Sequence, residues 1–154
     1  MKLRGHLAVL VLFASVLATP VRADDTADIL AANKAFDAAL SNRNIDHLDP
    51  LWAHDSAVTI IHPSSKQPLI GWEAVRKSWV EGVLARFSEL TVSMTDPSVR
   101  VNGNTAVVVG IESVRGKRAD NGAAVEFVAL TSNTFEKRDG RWLMVHHHAS
   151  RVPQ

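Results

Sequence analysis

Along this 154-residue chain, apolar residues recur every three or four positions in its first half and every second position in most of the rest. The two periods predict helices first and strands after. Over residues 26–42, Ile29, Ala32, Phe36 and Leu40 share one helical face, with Asp25 or Thr26 able to cap the start. Ser41 to Asn44 breaks that helix, and Asn44 can cap two short turns carrying Ile45, Leu48, Leu51 and Trp52, the second starting at Pro50. Ser56 to His62 is rich in β-formers and predicts a strand ended by Pro63. Over residues 72–87, Trp72, Val75, Trp79, Val83 and Phe87 fall on one face of a long helix. Alternation then predicts strands at 89–94, 98–101, 105–115, 123–137 and 141–151. They are separated by Pro97, by hairpin turns at Asn102-Gly103-Asn104 and Asp139-Gly140, and by a charged loop at 116–122. Helices followed by an antiparallel meander give the α+β class. A strongly curved sheet wrapped over a long helix leaves a cavity at its open end, where small-molecule sites form.

The N-terminus changes the charge account. Lys2 and Arg4 precede an uncharged apolar run, Leu7 to Ala18, and Val21 and Ala23 supply small residues before Asp24. This is the pattern of a signal peptide over residues 1–23, leaving a mature domain at 24–154. The run falls short of the roughly 20 residues that span a bilayer, so a periplasmic or secreted domain free of the membrane is expected. Loss of Lys2, Arg4 and Arg22 leaves 14 basic against 16 acidic residues, a net charge of −2. A nucleic-acid partner is not expected from such a surface. The chain has no cysteine and no tyrosine, which excludes thiol nucleophiles, thiolate metal sites and a phenolic acid. No phosphate loop, nucleophile elbow or metalloprotease motif is present, and no cofactor is expected.

Three groups of residues carry candidate chemistry. Glu112 stands among Val107, Val108, Val109, Ile111 and Val114. Turned to the enclosed face it would be desolvated, its pKa raised, and available as a general acid or base. Turned to solvent it would pair with Arg115 or Arg118. His146, His147 and His148 lie on one strand, so His146 and His148 share a face and His147 takes the other. The outer two could supply metal ligands with a third from His62, His54 or a carboxylate. The middle one could act as an acid–base partner, and all three could hydrogen-bond across the sheet. Trp52, Trp72 and Trp79 could line an apolar pocket, Trp79 foremost.

Three segments carry a family resemblance. Gly71-Trp72-Glu73-Ala74-Val75-Arg76 resembles a G-x-E-A-I-R helix opening, Lys137 to Trp142 resembles the hairpin into a last strand, and Val145 to Ser150 resembles a V-H-x-H-x-S ending. Together with the element order they make residues 26–152 similar to the nuclear transport factor 2-like superfamily. This includes SnoaL-like cyclases, ketosteroid isomerases and the association domain of calcium/calmodulin-dependent protein kinase II. The resemblance implies a cone-shaped α+β barrel and commonly a homodimer through the sheet, with chemistries ranging from isomerases and dehydratases to pure assembly domains. The association domains bind small carboxylates through arginines whose positions are occupied here by Glu112, Asn133 and Ala149. A small, largely apolar, uncharged ligand is therefore expected. The same correspondence turns His147 inward with Val145 and Ala149, and sets His146 and His148 with Trp142 and Met144 on the other face. The expected site then comprises Glu112 and His147 as acid–base groups, with His62, Trp52, Trp79, Thr131, Asn133 and His148 as ligand contacts and Asn133 holding an oxygen. The alternatives are a non-catalytic dimerisation module and a metal-binding protein using the His146–His148 strand.

Overall fold

The computed structural model describes residues 23–153, so residues 1–22 of the expected signal peptide lie outside the described residues. Helix α1 spans Ala23–Ser41 and buries Ile29, Phe36, Ala39 and Leu40. The short α2 (Ile45–Leu48) is capped by Asn44, whose side-chain oxygen accepts from Asp46 N at 2.9 Å, and a 3-10 turn at Asp49–Leu51 takes Pro50 in its first turn. Strands β1 (Thr59–Ile61) and β2 (Leu69–Ile70) follow, then α3 (Trp72–Lys77). Four long strands complete the chain: β3 (Phe87–Asn102), β4 (Thr105–Arg118), β5 (Ala124–Arg138) and β6 (Arg141–Arg151). They form one six-stranded sheet in the order β2-β1-β6-β5-β4-β3, antiparallel except where β1 runs parallel to β6.

The helices cover the concave face, and the core lies between: Phe36, Leu48, Trp52, Val58, Ile60, Val75, Val108, Phe135 and Met144 are all nearly inaccessible. Packing of α1 also settles the free edge of β3. Val92 N donates to Ser41 Oγ at 2.9 Å and Met94 N to Asp37 Oδ2 at 2.9 Å, so two donors of an edge strand are satisfied by helix side chains. At the β5–β6 hairpin, Asp139 and Gly140 both have positive φ, 51° and 79°, as a tight two-residue turn requires.

Four elements differ from the sequence expectation. The helix expected over 72–87 is α-helical only to Lys77; Ser78–Val83 widens into a π-helical stretch and Leu84–Arg86 tightens into a 3-10 turn. The strands expected at 89–94 and 98–101 are one strand, with the ladder to β4 shifting register between Thr95 and Ser98, where Asp96 takes a φ of 47°. Strand β4 runs on through residues expected as loop, to Arg118. Strand β2 has only two residues, too few to leave an alternation.

The last difference concerns faces. Trp142 and Met144 are buried, and so are His147 and Ala149, which strict alternation forbids. Thr134 pairs with His146 and Phe135 with Met144, so Val145 is an extra residue in β6. This bulge resets the phase of the strand. Trp142 and Met144 therefore share the concave side with His147 instead of opposing it.

Candidate functional site

The meander brings four strand ends together at one end of the sheet: the start of β3, the end of β4, the start of β5 and the end of β6. There a cavity of about 460 Å3 opens between the concave face, the 78–86 segment and the turn after β1. Its walls are largely apolar, with Leu40, Val83, Leu90, Val92, Val114 and Phe127 among them. The volume falls within the roughly 300–1,000 Å3 of small-molecule sites.

Glu112, His147, His62 and Trp79 line this cavity. Glu112 projects from the middle of β4, on the face shared by Val108 and Val114, and is only 4% exposed. Its Oε2 accepts a hydrogen bond from Thr131 Oγ1 at 3.2 Å, while Oε1 is buried with no partner among the described residues. Burial, and then the nearby Asp37 carboxylate, push the Glu112 carboxyl up to about 7, against the lowering effect of the Thr131 bond. Asp37 itself is pushed up to about 6 by burial, and its Oδ1 is likewise buried without a partner among the described residues. Nothing in the spacing of residues 26–42 marks Asp37 as more than a helix position. Its partner, the Met94 amide, lies 57 residues on.

His147 is held from behind by an amide relay. Its Nδ1 bonds Asn133 Oδ1 at 2.7 Å, and Asn133 Nδ2 donates to Asn33 Oδ1 at 2.7 Å. With the Asn133 amide group committed to Asn33, its carbonyl end can only accept, so His147 carries its proton on Nδ1 and leaves the Nε2 lone pair free. Full burial, followed by the charges of neighbouring histidines, lowers His147 to about 3, so the ring stays neutral at physiological pH. His62 continues the inward face of β1. Its Nε2 lies 2.9 Å from Ser78 Oγ, which donates onward to Val75 O at 2.7 Å, so His62 is the donor of that pair. Burial and the Arg86 charge bring it down to about 4. The Trp79 ring packs against both imidazoles, with centroids 4.8 Å from His62 and 5.6 Å from His147.

The other expected contacts sit elsewhere. Asn133 is fully buried with both ends of its amide engaged, so it orients His147 instead of holding a ligand oxygen. Thr131 stands behind Glu112. Trp52 belongs to the aromatic core, 6.4 Å from Phe36 and 6.2 Å from Trp72 between ring centroids. His148 is half-buried and pairs across the sheet with Ser132 and Ile61, on the convex face away from the cavity. His146 shares that face, its Nδ1 2.6 Å from Thr59 Oγ1. The third imidazole that a metal site on this strand would need is elsewhere: His62 faces the cavity, and His54 stacks on Trp72 at 4.2 Å. Among the described residues no group of three or more metal-ligating side chains is assembled.

Three arginines absent from the sequence-based list, Arg86, Arg118 and Arg151, also line the cavity, at its mouth. They stand 32 and 33 residues apart, so only the topology unites them.

The profile of the SnoaL-like domain family matches residues 29–154. Among solved structures, a Streptomyces avermitilis protein of the nuclear transport factor 2-like family, provisionally named a dehydratase, superposes with a TM-score of 0.76 at 25% identity, covering 85% of this chain and 98% of its own. A protein from Xanthomonas campestris provisionally named a calcium/calmodulin-dependent protein kinase II association domain gives 0.71 at 21% identity, covering 93% and 99%. A Novosphingobium aromaticivorans protein provisionally named a scytalone dehydratase gives 0.74 at 14% identity, covering 84% and 85%. No curated protein matches the chain at a significant level.

Proposed function

The chain belongs to the SnoaL-like domain family, with the nuclear transport factor 2-like cone fold, and from that premise we propose that it is an exported acid–base enzyme of the lyase or isomerase type, acting on a small, largely apolar molecule. The observation that carries the reading is Glu112: a carboxyl group in the wall of an apolar cavity, pushed up to about 7. Such a group is divided between acid and base near neutral pH, where proton transfer is most efficient in both directions. Several relatives of this fold carry names of elimination enzymes, among them the provisionally named dehydratases.

In an elimination, the Glu112 carboxylate takes a proton from a C–H bond. The electron pair of that bond forms the new double bond, and the leaving oxygen departs with its own pair, taking a proton from the Glu112 acid. In an isomerisation the same proton returns to a different carbon. His147 is too weak a base to carry it. Its fixed Nε2 lone pair instead accepts a hydrogen bond from a substrate hydroxyl, which orients the molecule over Glu112. Asp37 keeps Glu112 partly protonated.

The test is solvent exchange. Cyclic β-hydroxy ketones incubated in heavy water should acquire deuterium next to the carbonyl, or lose water, in the presence of the protein. Glu112→Gln should slow this by about a hundredfold or more. Equal rates in the two proteins would defeat the reading.

A second reading, a dimerisation module, rests on the convex face. Val109, Ile111, Val128 and Leu130 are exposed there by 50, 46, 39 and 60%. Ile111 and Leu130 are ladder neighbours, so these side chains form one patch. We propose a homodimer through this face. It leaves the cavity on the opposite face open, so assembly and catalysis are compatible.

A further inference from the structure

We infer that the mouth of the cavity binds an anionic end group, such as a carboxylate, sulfonate or phosphate monoester, on a ligand whose body is apolar. The inference rests on the reading of the cavity as a ligand site and departs from the uncharged ligand expected from the sequence. The arginines replaced by Glu112, Asn133 and Ala149 concern the deep interior. The structure brings a different set to the rim.

Arg86 ends the segment leading into β3, Arg118 ends β4 and Arg151 ends β6. Arg86 and Arg118 are held side by side, because Phe87 pairs with Arg118 and Ala119 N donates to Arg86 O at 2.9 Å. The Arg151 guanidinium lies over the Phe127 ring, 4.7 Å from its centroid, which holds the charged head against the cavity wall. The acidic residues nearby are accounted for. Glu126 binds Arg115 at 2.8 Å and Glu89 binds Lys117 at 2.8 Å. Asp120 takes two long hydrogen bonds from Arg118, at 3.4 and 3.5 Å, and so offsets part of its charge, whereas among the described residues Arg86 has no ion-pair partner. Among the described residues Glu112 is the one carboxylate in the cavity lining, and it lies deep. The mouth is thus cationic in a mature chain whose expected net charge is −2, so the cluster is not a sample of a generally basic surface. The Arg86 charge is felt inside, where it depresses His62. Guanidinium groups suit planar oxyanions because they can donate two parallel hydrogen bonds.

The test uses two fluorescent probes with one body: 8-anilinonaphthalene-1-sulfonate and the neutral N-phenyl-1-naphthylamine. The sulfonate should bind the wild-type protein roughly tenfold more tightly at low ionic strength, and added salt should erode that preference. Arg86→Gln with Arg118→Gln should bring the two affinities within about twofold of each other by weakening the sulfonate alone, whereas Arg86→Lys should keep part of the preference. Thermal unfolding of each variant confirms that the fold is retained. Gly82 lines the cavity and has no neighbour within 4 Å of an added Cβ, so Gly82→Leu should weaken both probes by filling the site. Equal wild-type affinities, or a preference that survives loss of the arginines, would overturn the anion site while leaving the acid–base reading intact. Probe binding indifferent to Gly82→Leu would overturn the cavity as a ligand site and this inference with it.

Discussion

Glu112 and His147 respond to burial in opposite directions, and this fixes how stability must depend on pH. Glu112 moves from 4.5 to about 7. Between those values the folded chain keeps a proton that the unfolded chain releases, so stability from this group is full below about 4.5 and lost as pH rises through 7. The difference is about 3 kcal/mol. Glu112→Gln should therefore raise stability at pH 8 and flatten the fall between pH 5 and 7 in urea unfolding. His147 and His62, lowered from 6.5 to about 3 and about 4, contribute stability that is present above 6.5 and lost as pH falls through those values. His147→Gln should accordingly reduce the loss of stability on acidification. The sequence marked Glu112 because it interrupts an apolar run, His62 because it ends a strand, His147 as the middle of a histidine triplet, and Trp79 as a large aromatic on the apolar face of a helix. It could not reveal Asp37 or the Asn33–Asn133 relay, whose meaning lies in bonds spanning 57 and 100 residues.

The long strands were legible as elements because β-branched alternation survives wherever one face is buried, as in Ala106, Val108, Glu112 and Val114 of β4. What alternation cannot register is an inserted residue. Val145 is such a residue, and His147 faces inward on account of it. Were the bulge ironed out with Val145 retained, His146 would oppose Asn133 in place of His147. Deleting Val145 should instead leave the pairing of His147 with Asn133 intact, and the variant should keep its fold and its cavity-bound imidazole, as a histidine NMR titration would report. The close approach of β3 to β4 gives a second prediction. A Cβ on Gly116 would stand 2.4 Å from Glu89 O, which is backbone and cannot step aside, whereas one on Gly110 meets the Met94 side chain at 2.6 Å and backbone, Thr95 O, only at 3.2 Å. Gly116→Ala should cost about 1–3 kcal/mol and Gly110→Ala less, by denaturant midpoint. The 78–83 widening was illegible for another reason: Trp72, Val75, Trp79 and Val83 fit an ordinary helix, and the spacing carries no mark of the widened turn, which lines the cavity.

For the molecule as a whole, the convex patch predicts assembly and the N-terminal pattern predicts processing. Leu130→Lys should shift sedimentation from dimer to monomer without altering the cavity, since Leu130 lies on the opposite face from Thr131 and Asn133. Sequencing of protein recovered from the exported fraction should begin at Asp24. The meander has one more consequence. Asp25, near the expected mature N-terminus, accepts from Lys137 and Trp142 beside the β5–β6 hairpin, at the closed end of the sheet, whereas Val152 and Pro153 follow Arg151 at the open one. A purification tag or fusion partner appended at the C-terminus would thus emerge beside the mouth of the cavity, and a polyhistidine tail there would add imidazoles next to it. One placed at the N-terminus would leave the entrance clear, so the choice of end decides whether a ligand screen interrogates the protein or its handle.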